Sequence, residues 1–136
     1  MPKKALGVRK FTKEEAVWLA CAIDGEGSIG LYTFVGDGRR VMVQMGNTSK
    51  AFVQEFRRII GCGSSIIRSN FKKKSGHKGR KPMHYFSLKG SGRCYAVLQQ
   101  VIPYLIIKKV KAKRIVKELE SKPFGRWQQY AVVHNG

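Results

Sequence analysis

The chain has 136 residues, which suffices for one compact domain and excludes two of ordinary size. Hydrophobic residues make up 43% of it, which excludes a wholly disordered protein, and 27 Lys and Arg against 8 Asp and Glu give a net charge of +19. Because such a surplus of positive charge repels itself, a polyanion is the simplest partner, and nucleic acid is the first candidate.

The basic residues are concentrated in one part of the chain. The stretch from Arg57 to Lys117 carries 17 of the 27 and contains no Asp or Glu. Ribosomal proteins, nucleic-acid enzymes and membrane-surface proteins all show such stretches. A membrane partner fits poorly, because apolar runs such as Val101–Ile107 fall far short of the roughly 18 residues that span a bilayer.

The three cysteines indicate the redox compartment. Cys21, Cys62 and Cys94 are odd in number and widely spaced, and they form no Cys-x-x-Cys pair. This pattern disfavours a disulfide framework or a zinc ribbon and predicts a reducing interior, either the cytoplasm of a prokaryote or an organelle.

Residues 1–10 are predicted to be a basic, flexible N-terminus, followed by a single domain over 11–136. Thr12 and Glu15 have the spacing of a capping box and open the first helix. The other elements are predicted from apolar and polar residues that alternate in strands, from apolar residues at helical spacing, and from Gly or Pro at the ends of elements. The predicted elements are a helix to about Asp24, strands Ser28–Val35 and Arg39–Gly46, a helix that Asn47, Thr48 or Ser49 caps and Gly61 ends, strands Ser64–Phe71 and Met83–Lys89, and helices Gly92–Val101 and Lys108–Glu120. In addition to these eight elements, a last short helix is predicted over Phe124–Val133.

The order α-β-β-α-β-β-α-α predicts an α+β domain, with an antiparallel sheet and helices gathered on one of its faces. Strand alternation turns Ile29, Val41 and Val43 toward the helices. A twisted two-stranded ribbon fits the DNA major groove, where Arg pairs with guanine and Gln with adenine, although an ordinary solvated face would look similar. The predicted DNA contacts are Ser28, Tyr32, Phe34, Arg40, Met42, Gln44, Arg68, Asn70, Lys72, Lys81 and Tyr85.

Two carboxylates lie where a helix disfavours them. Asp24 and Glu26 sit at or just after the predicted C-terminus of the first helix, where the dipole costs each about 0.3–1 kcal/mol. One interpretation is that Asp24 caps the helix or hydrogen-bonds locally and Glu26 is merely exposed to solvent. The other is that a carboxylate is retained for a divalent cation at a phosphate-binding surface.

The segment Leu19–Gly27, LACAIDGEG, resembles the nonapeptide motif of the LAGLIDADG homing endonucleases. Five positions agree outright, Glu26 keeps the acid, Gly25 is a common replacement, and Cys21 and Ala22 depart within small apolar types. The segment Ile102–Leu105 followed by Lys108 is similar to the family's C-terminal half. The resemblance covers residues 11–120 and implies the αββαββα fold with a saddle-shaped sheet.

The resemblance also implies an active site. Glu26 and the carbonyl of Gly25 would hold Mg²⁺, with Mn²⁺ as a substitute, and Lys108 matches the family's active-site lysine. A plain phosphate contact is the alternative for Lys108. Asn47 falls near the polar residue that orders the nucleophilic water, although helix capping explains it equally well, and Ser49 or Lys50 are alternatives for that role.

Only one copy of the motif is present, and single-motif members of the family are homodimers that pair their motif helices. The expected interface is a face of mostly small residues, with Trp18, Leu19 and Ala22 turned toward the core of the chain itself. A helix that is apolar nearly all round is normally buried on both sides, although a monomer's central helix would look the same. The predicted interface residues are Ala16, Ala20, Ile23 and Gly27.

These inferences predict an intron-encoded, homodimeric endonuclease that makes a metal-dependent double-strand break in a long pseudo-palindromic DNA target. The resemblance implies 5′-phosphate and 3′-hydroxyl ends. The alternatives are a non-cleaving RNA maturase or binder on the same fold, and a basic ribosomal-type RNA-binding protein.

Overall fold

The computed structural model describes residues 7–34, 38–68 and 82–120, and their side chains except at 31–34, 38–40 and 68. The order of elements confirms the predicted α+β arrangement. The elements are α1 (Lys13–Glu26), β1 (Gly27–Phe34), β2 (Gly38–Asn47), α2 (Lys50–Ile60), β3 (Ser64–Arg68), β4 (Met83–Lys89), α3 (Ser91–Val101), a short 3₁₀ helix (Ile102–Tyr104) and α4 (Lys109–Glu120).

The four strands form one sheet in the order β1-β2-β4-β3, and every neighbouring pair is antiparallel. Side chains on one face of the sheet, including Val43, Phe86 and Leu88, are fully buried in the core with the helices. The other face carries Ser28 and Gln44, which are exposed. The sheet therefore has a helix-covered face and an open face, as the alternation of the sequence predicts.

The capping box at the start of α1 is present as predicted, with Thr12 Oγ1 accepting from the Glu15 N–H and Glu15 Oε1 accepting from the Thr12 N–H. The helix runs two residues past Asp24, because Gly25 adopts the helical conformation. It ends at Gly27, whose N–H donates to the Ile23 carbonyl. A Cβ at Gly27 would lie 3.0 Å from the Gln44 carbonyl oxygen, so this tight passage from helix to strand needs glycine.

The second helix also follows its signals. Ser49 caps α2 by accepting a hydrogen bond from the Phe52 N–H, and Gly61 ends the helix in the left-handed region at φ 95°. In the interior, Phe56 packs edge-on against Phe86, with ring centroids 5.2 Å apart. This contact joins α2 to β4.

The predicted boundary between a flexible N-terminus and the domain is wrong for residues 8–10. Val8 is buried, the Arg9 N–H donates to the Ile60 carbonyl at 2.9 Å, and its guanidinium donates to the Ile59 carbonyl. These contacts satisfy carbonyls at the end of α2, so the packed part of the chain begins before residue 11. Residues 1–6, the end of the predicted strand at Phe71 and the predicted helix Phe124–Val133 lie outside the described residues.

We predict that two glycines with similar backbone angles differ in their tolerance of alanine. Gly90 (φ 109°) has nothing within 4 Å of an added Cβ, whereas at Gly63 (φ 113°) a Cβ would overlap the buried ring of Phe86. Gly90→Ala should cost about 1–3 kcal/mol of unfolding free energy from backbone strain. Gly63→Ala should cost about 1–3 kcal/mol more, because the core is overpacked as well. Urea denaturation measures the free energy of unfolding of both variants, and equal losses of stability would contradict the prediction.

Candidate active site and nucleic-acid interface

Glu26 is the last residue of α1, and its exposed side chain lies beside the end of β2. Asn47, the last residue of β2, donates from Nδ2 to Glu26 Oε1 at 3.4 Å. The Asn47 Oδ1 accepts from the Ser49 N–H at 2.7 Å, which leaves the amide nitrogen directed at the carboxylate. Of the three candidates for this position, Asn47 contacts Glu26, Ser49 caps α2, and Lys50 lines a separate cleft with Ile67 and His84.

Asp24 is bound by a segment more than eighty residues away in sequence. Its carboxylate accepts from the N–H groups of Ile106 at 2.7 Å and Lys108 at 2.9 Å. Burial opposes the charged form, but these backbone hydrogen bonds, one from Ile107 and the charge of Lys108 outweigh it and lower the pKa of Asp24. Asp24 is therefore an ionised structural acid, although its partners lie in a distant segment and not in the local backbone that the first interpretation expects.

Lys108 completes this contact from the other side. Its Nζ donates to the backbone carbonyl of Asp24 at 2.9 Å. The last turn of α1 contains no basic residue of its own, so Lys108 supplies the positive charge that a helix C-terminus favours. The structure thus holds Lys108 against the helix that ends in Glu26.

The donor set for a divalent cation is incomplete in one copy of the chain. Within residues 7–34, 38–68 and 82–120, no cluster of three or more His, Cys, Asp or Glu side chains is present. Glu26 and the carbonyl of Gly25, in the exposed last turn of α1, are hard oxygen donors of the kind that Mg²⁺ prefers. Their chemistry fits two positions of a magnesium coordination shell.

A cleft of about 450 Å³ opens beside Glu26 on the open face of the sheet. A polar row crosses the four strands there, because Ser28 pairs with Gln44, Gln44 with Ser87, and Ser87 with Ser64. The sequence analysis missed Ser64, Ile66 and Ser87 as parts of this surface. Period-2 alternation along β3 and β4 would have identified them.

The predicted DNA contacts are only partly brought together. Ser28 and Gln44 are exposed on the open face, and the half-buried ring of Tyr85 lies over Gly46, where an added Cβ would be 2.7 Å from it. Met42 is wrong as an open contact, because its side chain is only 7% exposed.

The other predicted contacts are described by backbone register alone or not at all. In this register Tyr32 pairs with Arg40 and Phe34 with Gly38. The side chains of Tyr32, Phe34, Arg40 and Arg68, and the whole of Asn70, Lys72 and Lys81, lie outside the description.

The predicted interface face of α1 is wrong for three of its four residues. Ala16, Ala20 and Ile23 are buried within the chain itself, with Ile23 fully inaccessible, because this side of α1 packs into the core. Gly27 is only partly buried, and its place in an interface stays a prediction. The core side of α1 also includes Leu19 and Ala22, as predicted, together with the half-buried Trp18.

The outward face of α1 carries different residues. Val17, Cys21 and Gly25 are exposed along it at helical spacing. The segment that binds Asp24 extends this surface, since Ile106 is 84% exposed, and Ile107 and Val110 are also largely exposed. An apolar surface of this kind marks an interaction site more often than a solvated face.

Comparison with known proteins shows similarity only at the level of structure. No family model matches the sequence, and no curated protein matches it. The homing endonuclease I-CvuI in complex with its target is 23% identical at a TM-score of 0.61, over 82% of this chain and 69% of that one. I-CvuI in complex with an I-CreI target, in the presence of Mg and with the DNA not cleaved, is 21% identical at a TM-score of 0.59, over 79% and 67%.

These matches, with the observed element order and sheet topology, show that the chain has the fold of the LAGLIDADG homing endonucleases. The motif segment Leu19–Gly27 forms the C-terminal part of α1 and its turn into β1, which is where Glu26 lies. In the part of the chain that the structure describes, no helix is long and apolar enough to cross a membrane.

We predict that Asp24→Asn lowers the free energy of unfolding at pH 7 by about 1–2 kcal/mol, because an uncharged amide accepts these N–H groups more weakly. The pKa of Asp24 is below its usual 3.8 in the folded protein. Its stabilisation is therefore fully present above pH 3.8 and is lost as the pH falls through the lowered folded value.

Chemical denaturation of wild type and Asp24→Asn across this range measures the difference directly. The gap between them should narrow below pH 3.8, and a constant gap would contradict the assignment. Glu14→Gln, which changes an exposed acid at the opposite end of α1, is the control and should leave stability almost unchanged.

Proposed function

We propose that this chain is a site-specific DNA endonuclease of the homing type, which cuts both strands of a long pseudo-palindromic target as a homodimer. The observation that carries the proposal is the position of Glu26, an exposed carboxylate at the rim of a cleft on the open face of the sheet. The fold supports it, because I-CvuI, which shares that fold, is a homing endonuclease solved with target DNA.

The distribution of carboxylates supports a chemical role for Glu26. Glu15 and Glu55 pair with Arg9 and Arg58 at the junction of α1 and α2. Asp24 is occupied by backbone N–H groups, as described above. Glu26 is exposed and has one long contact, to Asn47, so it contributes little to the stability of the fold.

In this proposal the open face of the sheet enters the major groove, where Gln44 and the serines of the polar row face the base edges. Lysines and arginines of the Arg57–Lys117 stretch bind phosphates and supply affinity without sequence preference. Phosphate contacts fix the register of the protein, and the strand side chains select the sequence.

At the scissile phosphate, Glu26 and the Gly25 carbonyl would hold Mg²⁺, with Mn²⁺ as a substitute. A divalent cation, when bound, polarises the phosphoryl oxygens and lowers the pKa of its water. Asn47 holds the Glu26 carboxylate in place through its amide. The Lys108 ammonium, already fixed at the end of α1, would stabilise the negative charge that develops as a water oxygen bonds to phosphorus and the P–O3′ bond breaks in line. The proton released by the water balances the one that O3′ takes up, so the products have 5′-phosphate and 3′-hydroxyl ends.

If two copies of the chain pair through the outward face of α1, the second copy adds its own Glu26 and Gly25 carbonyl as metal ligands. A two-fold axis along Val17, Cys21 and Gly25 would bring both copies of Glu26 to the same end of the interface, where their repulsion is relieved by cations. Ile106, Ile107 and Val110 would be covered at the margin of the same surface. None of Cys21, Cys62 and Cys94 is in a disulfide, which accords with a reducing compartment such as a prokaryotic cytoplasm or an organelle, and with an intron-encoded enzyme.

The experiment begins with duplexes that wild type selects from a random DNA pool in Ca²⁺ and then cleaves in Mg²⁺. Glu26→Gln should bind these duplexes with nearly unchanged affinity but cut them at least about 100-fold more slowly, because the carboxylate that holds the metal is lost. Glu14→Gln is the matched control and should cut normally. If wild type binds selected DNA but cuts none of it in Mg²⁺ or Mn²⁺, the non-cleaving binder is correct; preferential binding of structured RNA would favour the maturase.

The dimer is tested by cross-linking Cys21 with a short bismaleimide. The two copies of Cys21 should face each other, so wild type and Cys62→Ser should give a covalent dimer, whereas Cys21→Ser should give none. Burial raises the pKa of the Cys62 thiol and raises that of Cys94 to about 12, so neither should compete. A monomer at micromolar concentration in sedimentation, with no cross-link, would refute the pairing.

A further inference from the structure

One apolar side chain lies exposed among the polar groups of the open face. Ile66, in the middle of β3, is 51% exposed and is not part of the buried core. Its neighbour Ile67 is 58% exposed. An exposed apolar edge strand can pair with a strand of another chain and so promote aggregation, and natural proteins usually avoid such edges.

Strand register separates these two isoleucines. Ile66 pairs with Tyr85, two positions from the Ser64–Ser87 pair, and lines the cleft beside Glu26 together with Gln44. Ile67 pairs with His84 and is absent from the residues that line this cleft. Because successive side chains of a strand point to opposite faces, Ile66 lies on the open face and Ile67 on the face that carries the helices.

The neighbours of Ile66 on the open face leave it uncovered. The Tyr85 ring lies toward β2 over Gly46, and the adjacent row of Ser64, Ser87 and Gln44 is polar. The apolar group that the major groove offers to a side chain in this position is the C5-methyl of thymine. Contact with it would remove apolar surface of both partners from water.

We propose that Ile66 is a specificity-determining residue that contacts a thymine methyl group in each half of the target, while the polar row beside it reads neighbouring base edges. This inference rests on the proposed function, because it requires that the open face bind DNA. To the proposed function it adds that one position of each half-site contains thymine and that Ile66 selects this base.

The experiment replaces thymine by uracil, which lacks only the methyl group. Duplexes are selected from a random pool by the wild-type chain in Ca²⁺, so that binding is measured apart from cutting. Each conserved thymine is then changed to uracil in both half-sites, and affinity is measured for wild type, Ile66→Ala and Ile67→Ala. Circular dichroism and thermal melting confirm that the variants are folded, and Ile66→Thr, which keeps the β-branched shape, is the second variant.

At one thymine position, uracil should weaken wild-type binding by about fourfold per half-site, as expected for one buried methyl group. Ile66→Ala should bind both forms alike, Ile66→Thr, which keeps one γ-methyl group, should show an intermediate preference, and Ile67→Ala should respond as wild type does. Equal sensitivity of wild type and both Ile66 variants, or insensitivity of wild type at every thymine, overturns the inference but leaves the endonuclease proposal standing. Failure of wild type to enrich any DNA sequence overturns the proposed function itself, and this inference with it.

Discussion

The arrangement of this protein depends on a reciprocal contact at the C-terminal end of α1. The carboxylate of Asp24 accepts from the backbone of Ile106 and Lys108, and the ammonium of Lys108 returns a bond to the Asp24 carbonyl. A negative charge near a helix C-terminus is unfavourable, and this contact offsets it by supplying donors and a cation from elsewhere in the chain. The same contact fixes Lys108 and two exposed isoleucines beside the helix that ends in Glu26.

The acidic residues divide into structural and available groups. Glu15 and Glu55 bind arginines, Asp24 binds backbone, and Tyr95 donates to Glu120. Glu26 is exposed at the rim of the open face and receives one long hydrogen bond from Asn47. In a chain of net charge +19, an exposed carboxylate beside the face that we propose binds DNA fits a cation that phosphate and carboxylate share.

Two surfaces of the single chain expose apolar side chains to water, which is unfavourable in free energy. One runs along Val17 and continues to Ile106 and Ile107, and the other is the single isoleucine Ile66 on the open face of the sheet. We propose a second copy of the chain as the partner of the first surface and the major groove of DNA as the partner of the other. The two surfaces share the end of α1, so assembly and DNA binding would both act at Glu26.

The sequence by itself determined the elements, their order and the open face, because capping residues, glycine stops and period-2 alternation act over a few residues. It also singled out Glu26 through the motif. It failed where long-range packing decides: α1 is apolar nearly all round, so periodicity could not show that Ala16, Ala20 and Ile23 face the core rather than a partner. Only the tertiary structure, which brings residues 106–108 onto Asp24 and buries Met42, decided which side chains remain available, because burial depends on elements far apart in sequence.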